Sequence, residues 1–204
     1  EIVNKLNLLD RDTAYQDIHR PINSSVLKRA LLRLKFEELF FLQLAINKHK
    51  INAQRKSKGY VFSKIGAFFN QFYNSYLPFE LTNAQKRVVK EIRKDLGSGL
   101  HMNRLLQGDV GSGKTLVAVL NMLIAIDNGF QSCLMAPTEI LATQHFNTIN
   151  ELLNEMGVTV KLLTGSSKKK ERTIIHQELN NGTLSILIGT HAVLEDVVEF
   201  NNLR

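Results

Sequence analysis

The chain has 204 residues, of which 44% are hydrophobic and 22% are charged, and its formal net charge is +7. This composition excludes a disordered chain and is sufficient for one or two folded domains. Apolar runs end well before the roughly 18 residues that a membrane span needs, and the first residues show neither a basic leader nor an apolar signal core. We therefore expect a cytoplasmic protein with no membrane partner. The single cysteine, Cys133, lies in an apolar run and is expected to be a buried strand residue without chemistry.

The first 76 residues carry the whole charge excess. They hold 13 Lys and Arg against 6 Asp and Glu, whereas residues 77–204 hold 13 of each kind. Such asymmetry predicts two regions with different roles. Residues 24–58 contain no glycine or proline, are rich in Leu, Lys, Glu and Ala, and predict one long connecting helix. Its basic end, 47–58, either contacts nucleic-acid phosphates or is a solvated helix end.

An aromatic-rich segment follows at 60–79. Aromatic side chains can stack on unpaired bases, but their spacing here is three or four residues, which favours a helix face packed into a core. The residues at this spacing are Phe68, Phe69, Phe72, Tyr73 and Tyr76.

From Leu77 onward, short apolar runs alternate with amphipathic stretches. The alternation predicts an α/β fold with a parallel sheet covered by helices. The predicted strands are 104–107, 132–137, 158–165 and 184–190, and the predicted helices begin at Lys114 and Ile140 and span 169–180.

A glycine-rich loop lies between the first predicted strand and a helix. It matches G-x-x-x-x-G-K-[ST] in full: Gly108, Asp109, Val110, Gly111, Ser112, Gly113, Lys114 and Thr115. Glycines let the backbone curl so that N–H groups point at phosphate oxygens, and the helix N-terminus adds its positive dipole end. Lys114 is expected to neutralise the β- and γ-phosphates and Thr115 to ligate Mg²⁺. This loop, in that context, predicts a site for a nucleoside triphosphate.

Gln85 precedes this loop in the run "LTNAQ". A glutamine amide both donates and accepts, as the adenine edge requires, so Gln85 could select ATP. A structural role explains the same residues equally well: Thr82 would be a helix N-cap and Gln85 its capping-box partner.

Polar residues follow three of the predicted strands, in "APTEILATQH", "LLTG" and "IGTHAVLED". Ligands of open parallel sheets collect beyond the carboxyl ends of the strands, so we expect these segments to line one edge of the domain. Each of them alone could be an ordinary N-cap turn.

These segments, together with "PFELTNAQ" and "QGDVGSGKT", resemble those of superfamily-two DNA helicases in their order along the chain. The upstream "LKRALLRLKFEELFFLQLA" is similar to the segment that precedes the motor in RecG-type ATP-dependent DNA helicases. The resemblance implies a helical connector over 1–76 and, over 77–204, the front part of a first RecA-like motor domain whose sheet has helices on both faces. Its implied partners are ATP, Mg²⁺ and branched or forked DNA, such as stalled replication forks and recombination junctions.

The resemblance also implies roles for single residues. The residues 108–115 would bind ATP, Gln85 would read adenine with Thr82 beside it, and Phe79 would lie near the base. A further set would grip the DNA backbone: Pro137, Thr138, Gln144, Thr164, Gly165, Thr190 and His191. For His191, a packing role at the strand end is equally open.

The sequence departs from the family in one respect, because it contains no Asp-Glu dipeptide. The carboxylates that hold Mg²⁺ and orient the attacking water therefore have no candidate here. The second motor domain and most of the wedge domain are expected in the remainder of a longer polypeptide, with an apolar strand ending in Asp-Glu soon after Arg204. The alternatives are a transcription-repair coupling type of translocase, a P-loop kinase, or a nucleotide-binding module without a motor role.

Overall fold

The computed structural model describes residues 2–56 and 58–204, with side chains at 53–56 left aside. The helices are α1 (Ile2–Lys5), α2 (Arg11–His19), α3 (Ser24–Lys56), α4 (Ala67–Gln71), α5 (Asn83–Leu96), α6 (Lys114–Asp127), α7 (Glu139–Leu153) and α8 (Lys169–Asn180). The strands are β1 (Ser132–Met135), β2 (Val160–Leu163) and β3 (Ile186–Gly189). No helix among these described residues is long and apolar enough to span a membrane.

The chain divides into two compact units, Glu1–Ser57 and Lys58–Arg204. In the first, α2 packs along the start of α3, and Arg33 donates from Nε to the carbonyl of Leu9 at 2.8 Å. The long helix predicted over 24–58 is confirmed as α3, which ends at Lys56; position 57 lies outside the described residues, and Lys58 is not helical. Many apolar side chains on α3 stay exposed, among them Leu32, Leu39, Phe41 and Leu42.

The division lies earlier than the sequence-based boundary at 76/77, because the aromatic segment packs on the second unit. Phe72 is fully buried in its core, and Phe68, Phe69 and Tyr76 pack against that core. The carboxylate of Asp127, the last residue of α6, accepts the backbone N–H groups that open α4, at 2.9–3.0 Å. The expected core role is confirmed for these four aromatics but not for Tyr73, which is exposed. Their packing joins 58–76 to the α/β unit.

The sheet of the second unit is parallel, with strand order β1-β3-β2. Successive residues of the central strand β3 point to opposite faces of the sheet. Ile186 and Ile188 pack into a large apolar cluster with α5, α6 and α7, and Leu187 packs into a second cluster with α8. Helices therefore cover both faces, as the alternation of strands and helices predicts.

The predicted strand over 104–107 is wrong for this structure. An extended segment becomes a strand by pairing with a neighbouring backbone, and none of the described residues pairs with 104–107. Leu105 is 89% exposed, while Leu106 still packs against the core. The P-loop is thus preceded by an unpaired segment without regular secondary structure.

Candidate functional site

The glycine-rich loop at 108–113 leads directly into α6, the helix with the most buried core residues. Gly111 and Gly113 have φ angles of +79° and +77°, in the left-handed region that side chains disfavour. Gly113 is the N-cap of α6, and no side chain caps this helix end. By contrast, Thr82 caps α5 and Thr138 caps α7 with their hydroxyls. The first-turn N–H groups of α6 are therefore open to an external acceptor.

Lys114 folds back over this loop. Its ammonium donates to the carbonyl oxygens of Gly108 at 2.8 Å and Asp109 at 2.6 Å, and lies 3.4 Å from the hydroxyl of Ser112. The positive charge and the uncapped helix end thus face the same loop. Thr115 follows in the first turn of α6 and is half-buried. Such a loop, cation and helix end fit the phosphate chain of a nucleotide.

Gln85 joins α5 to the P-loop. Its Oε1 accepts the N–H of Thr82 at 2.8 Å, and the Thr82 hydroxyl accepts the N–H of Gln85 at 3.3 Å, so the capping box is formed. Its Nε2 donates to the carbonyl of Ser112 at 2.9 Å. A Cβ on Gly113 would lie 2.3 Å from this Nε2, so glycine is required for the contact. The structure adds to the capping box a bridge to the P-loop.

Phe79 lies three residues before Thr82 in the chain. The residue is 55% exposed and lines a cleft of about 370 Å³ together with Tyr73, Leu77 and Lys86. An exposed ring beside a cleft is a surface on which a base could stack.

The three predicted strand ends lie level at one edge of the sheet. Met135 of β1 and Leu163 of β2 are both in register with Gly189 of β3. Pro137 and Gln144 are exposed beyond β1 and on α7. The predicted convergence of the loops is therefore present at this carboxyl edge.

Two of the predicted DNA-contacting side chains are buried. Thr164 is 4% exposed and its hydroxyl lies 3.0 Å from that of Ser166. Thr190 is 3% exposed, and its hydroxyl has no hydrogen-bond partner among the described residues. Gly165 and His191 are exposed at the ends of β2 and β3. An incoming ligand would thus meet Gly165 and His191 before Thr164 and Thr190.

Two side chains that sequence reasoning missed tie the strand-end loops together. Glu139, the first residue of α7, accepts two hydrogen bonds from Ser166 in the loop after β2. Arg172 of α8 donates to the carbonyl of Thr164 and to the carboxylate of Glu195 beyond β3, both at 2.9 Å. Neither contact has a local sequence signal, because each joins residues at least eight positions apart. No hydrogen bond among residues 2–56 and 58–204 joins these loops to the P-loop.

Few protein side chains near the P-loop could ligate Mg²⁺. Within the described parts of the chain, no three His, Cys, Asp or Glu side chains group in a way that could hold a metal ion. Mg²⁺ bound through nucleotide oxygens would need only one or two protein ligands, which suits a single hydroxyl such as Thr115.

The family profile of DEAD/DEAH box helicases matches residues 82–204. The chain belongs to the DEAD/DEAH box helicase family. Such a family implies the use of ATP. The match begins at the N-cap of α5 and includes the P-loop and all three strand-end loops.

Curated relatives match over nearly the whole chain. The ATP-dependent DNA helicase RecG of Synechocystis is 44% identical over 203 residues, covering 100% of this chain and 24% of its own. That of Thermotoga maritima is 45% identical over 203 residues, covering 99% and 26%. A solved structure of RecG bound to a three-way DNA junction superposes with a TM-score of 0.85 at 44% identity, over 99% of this chain and 27% of that one. The chain therefore spans about a quarter of the length of these relatives.

The similarity extends beyond the profile to the N-terminal unit. Because the match to the RecG structure covers 99% of this chain, it includes α2 and α3 as well as the α/β unit. A more distant structure, the DUF1998 helicase MrfA, has a TM-score of 0.51 at 20% identity and shares the fold over 66% of the chain. The expected resemblance to RecG-type helicases is confirmed.

Proposed function

We propose that the chain is the front part of the first motor domain of an ATP-dependent DNA helicase that acts on branched DNA, together with a helical connector. The observation that carries the proposal is the uncapped N-terminus of α6 beneath Lys114, because its free N–H donors form a ready binding site for nucleotide phosphates. The match to a RecG bound to a three-way junction supports branched DNA as the substrate class. The proposed localisation is the cytoplasm.

In this proposal the P-loop binds Mg-ATP. The N–H groups of 108–115 donate to phosphate oxygens, Lys114 exchanges its bonds to loop carbonyls for bonds to the β- and γ-phosphates, and Thr115 ligates Mg²⁺. Gln85 reads adenine or holds the loop through Ser112, and Phe79 stacks near the base.

The carboxyl edge of the sheet holds the DNA backbone. Pro137, Thr138 and Gln144 contact it beyond β1, Thr164 and Gly165 beyond β2, and Thr190 and His191 beyond β3. Backbone N–H groups and hydroxyls suit phosphates rather than base edges, so recognition is independent of sequence. DNA affinity should therefore fall steeply as salt rises, and a strong preference for one base sequence at fixed salt would contradict the proposal.

Hydrolysis needs carboxylates that this sequence does not supply as an Asp-Glu pair. We infer that the 204 residues bind Mg-ATP without fast turnover. In the rest of the polypeptide, an Asp-Glu pair and the second motor domain complete the catalytic site, and the wedge domain engages branched DNA. Fast hydrolysis by the chain alone would contradict this inference.

A titration with a fluorescent ATP analogue and Mg²⁺ tests the proposal. Lys114→Ala removes the cation beside the P-loop and should weaken binding about tenfold or more. Lys90→Ala, on the exposed face of α5, removes the same charge elsewhere and should leave binding unchanged. Equal affinity of the wild type and Lys114→Ala would refute the assignment of the P-loop.

DNA-stimulated ATP turnover in a longer polypeptide that contains this chain would separate the helicase from the alternatives. A P-loop kinase or a nucleotide-binding module has no reason to respond to DNA. Turnover that is insensitive to added forked DNA would favour those alternatives.

A further inference from the structure

The carboxylate of Glu139 holds both polar hydrogens of Ser166. Its Oε1 accepts the backbone N–H of Ser166 at 3.1 Å, and its Oε2 accepts the Ser166 hydroxyl at 2.9 Å. Glu139 begins the helix after β1, whereas Ser166 lies in the loop after β2. An acid thus reaches across the proposed DNA-binding edge and occupies two donors there.

A chain of hydroxyls ends at the same carboxylate. The hydroxyl of Thr164 lies 3.0 Å from Ser166 Oγ. Because Ser166 donates its only hydroxyl hydrogen to Glu139, Thr164 is the donor in this contact. The donors of the loop therefore converge on one anion with two oxygens, a geometry that a phosphate group can also satisfy.

The charges around this loop point to an anion independently. Lys168, Lys169 and Lys170 follow it, are exposed, and have no ion pair among the described residues. The latter two lie in the first turn of α8, where the positive end of the helix dipole disfavours cations. Glu171 in the same turn offsets one of these charges, and the remaining positive charge suits an external polyanion.

We propose that Glu139 is an internal substitute for a DNA phosphate. In the DNA-free chain it occupies the Ser166 donors, and a backbone phosphate displaces it and takes those donors over, with the adjacent lysines neutralising its charge. Glu139 thus lowers DNA affinity, and Ser166 is a further DNA-contacting residue. This inference rests on the proposed DNA-binding edge.

A simple structural brace would have the opposite effect. If Glu139 only held the loop after β2 in a binding-competent position, its removal would weaken DNA binding. Whether DNA affinity rises or falls on removal of Glu139 therefore separates the two roles. A second variant tests whether the effect depends on the position of the lost charge. Glu151 lies on the same helix, is exposed, and provides the matched control.

The experiment is a fluorescence-anisotropy titration of a labelled 20-base-pair duplex with the 204-residue chain at low, fixed salt. We expect Glu139→Gln to bind about threefold to tenfold more tightly than the wild type, since a charged competitor for two donors is lost. Glu139→Ala should show at least the same gain. Glu151→Gln should change affinity less than about twofold, because it removes an equal charge away from the loop.

A double variant locates the effect. In a Ser166→Ala background the gain from Glu139→Gln should be clearly smaller than in the wild type, since one of the two donors that Glu139 occupies is absent while the backbone N–H remains. A gain that persists undiminished there, a gain equal to that of Glu151→Gln, or a loss of affinity would each overturn the proposal. Thermal unfolding midpoints within the range of the wild type confirm that the exposed substitutions leave the fold intact.

Failure of this inference is distinguishable from failure of the proposed function. Salt-dependent DNA binding by the wild type without a gain in Glu139→Gln overturns the displacement by phosphate alone. Absence of DNA binding in every variant overturns the DNA-binding edge and the inference together.

Discussion

The P-loop and the carboxyl edge of the sheet are two candidate phosphate-binding regions with different construction. The P-loop is built from backbone: two glycines with positive φ, an uncapped helix end, and a buried glutamine that braces the loop through Ser112. The carboxyl edge is held by side chains from separate elements, chiefly Glu139 and Arg172. Substitutions should therefore affect the first region through main-chain geometry and the second through the loss of individual contacts.

Gly113→Ala should have the largest effect. With a Cβ, the positive φ at this position becomes strained. The Cβ would also lie 2.3 Å from Gln85 Nε2, so the hydrogen bond from Gln85 to Ser112 would break. We expect the free energy of unfolding to fall by about 2–3 kcal/mol and nucleotide affinity to fall about 30-fold or more, measured by urea denaturation and nucleotide titration.

Gly111→Ala is the matched control for that substitution. Its φ is also positive, at +79°, but nothing lies within 4 Å of the added Cβ. The cost should be only the backbone strain of about 1–2 kcal/mol. Equal effects of the two substitutions would show that the brace from Gln85 is not important to the loop.

Gln85→Ala should come next. It removes one half of the capping box and the bond to the Ser112 carbonyl, so the free energy of unfolding should fall by about 1–2 kcal/mol. Thr82→Ala disrupts the capping box but leaves the brace in place. If nucleotide affinity falls in Thr82→Ala as much as in Gln85→Ala, the brace has no separate role.

Arg172→Ala tests the carboxyl edge. The side chain is 22% exposed and bonds the loops after β2 and β3, so its loss should reduce stability by about 1 kcal/mol and DNA affinity a few-fold, with nucleotide affinity unchanged. Arg87, whose side chain is 74% exposed and whose contact with Glu91 is 4.0 Å long, is the control for charge. A drop in nucleotide affinity in Arg172→Ala would mean that the two regions are not independent.

Cys133 should show the smallest effect, since it belongs to neither region. Burial raises the pKa of its thiol from 9.0 to about 11, so at pH 8 it should react with iodoacetamide far more slowly than in the unfolded chain. Because the unfolded thiol ionises first, its contribution to stability is complete below pH 9 and is lost as pH rises toward 11. Urea denaturation of the wild type and Cys133→Ala should therefore converge or cross over that pH range. Parallel curves would contradict the partial burial of the thiol.

The sequence predicts the P-loop well and the carboxyl edge only in outline. A P-loop can be recognised from sequence because its glycines, lysine and threonine lie within one short segment, and each is required by main-chain or phosphate geometry. The strand ends could be placed because apolar runs such as 184–190 mark buried strands. The bonds of Glu139 to Ser166 and of Arg172 to Glu195 could not, because they depend on the strand order β1-β3-β2, which no local pattern encodes.

Two other differences have the same cause. The composition of residues 104–107 predicts a strand. A strand also needs a neighbouring backbone to pair with, and none of the described residues pairs with this segment. The boundary at 76/77 followed the change in charge and texture, whereas the packing of Phe72 and the bonds from Asp127 join 58–76 to the α/β unit. In both cases long-range contacts decide what local composition leaves open.

The central claim is that this chain carries two separable phosphate-binding sites, one for nucleotide and one for DNA. The most direct test measures Mg-ATP-analogue affinity and duplex-DNA affinity in parallel for the wild type, Lys114→Ala and Ser166→Ala, at the same salt. We predict that Lys114→Ala loses about tenfold or more in nucleotide affinity and keeps its DNA affinity, while Ser166→Ala weakens DNA binding about threefold and keeps its nucleotide affinity. Equal losses of both ligands in either variant would contradict the claim.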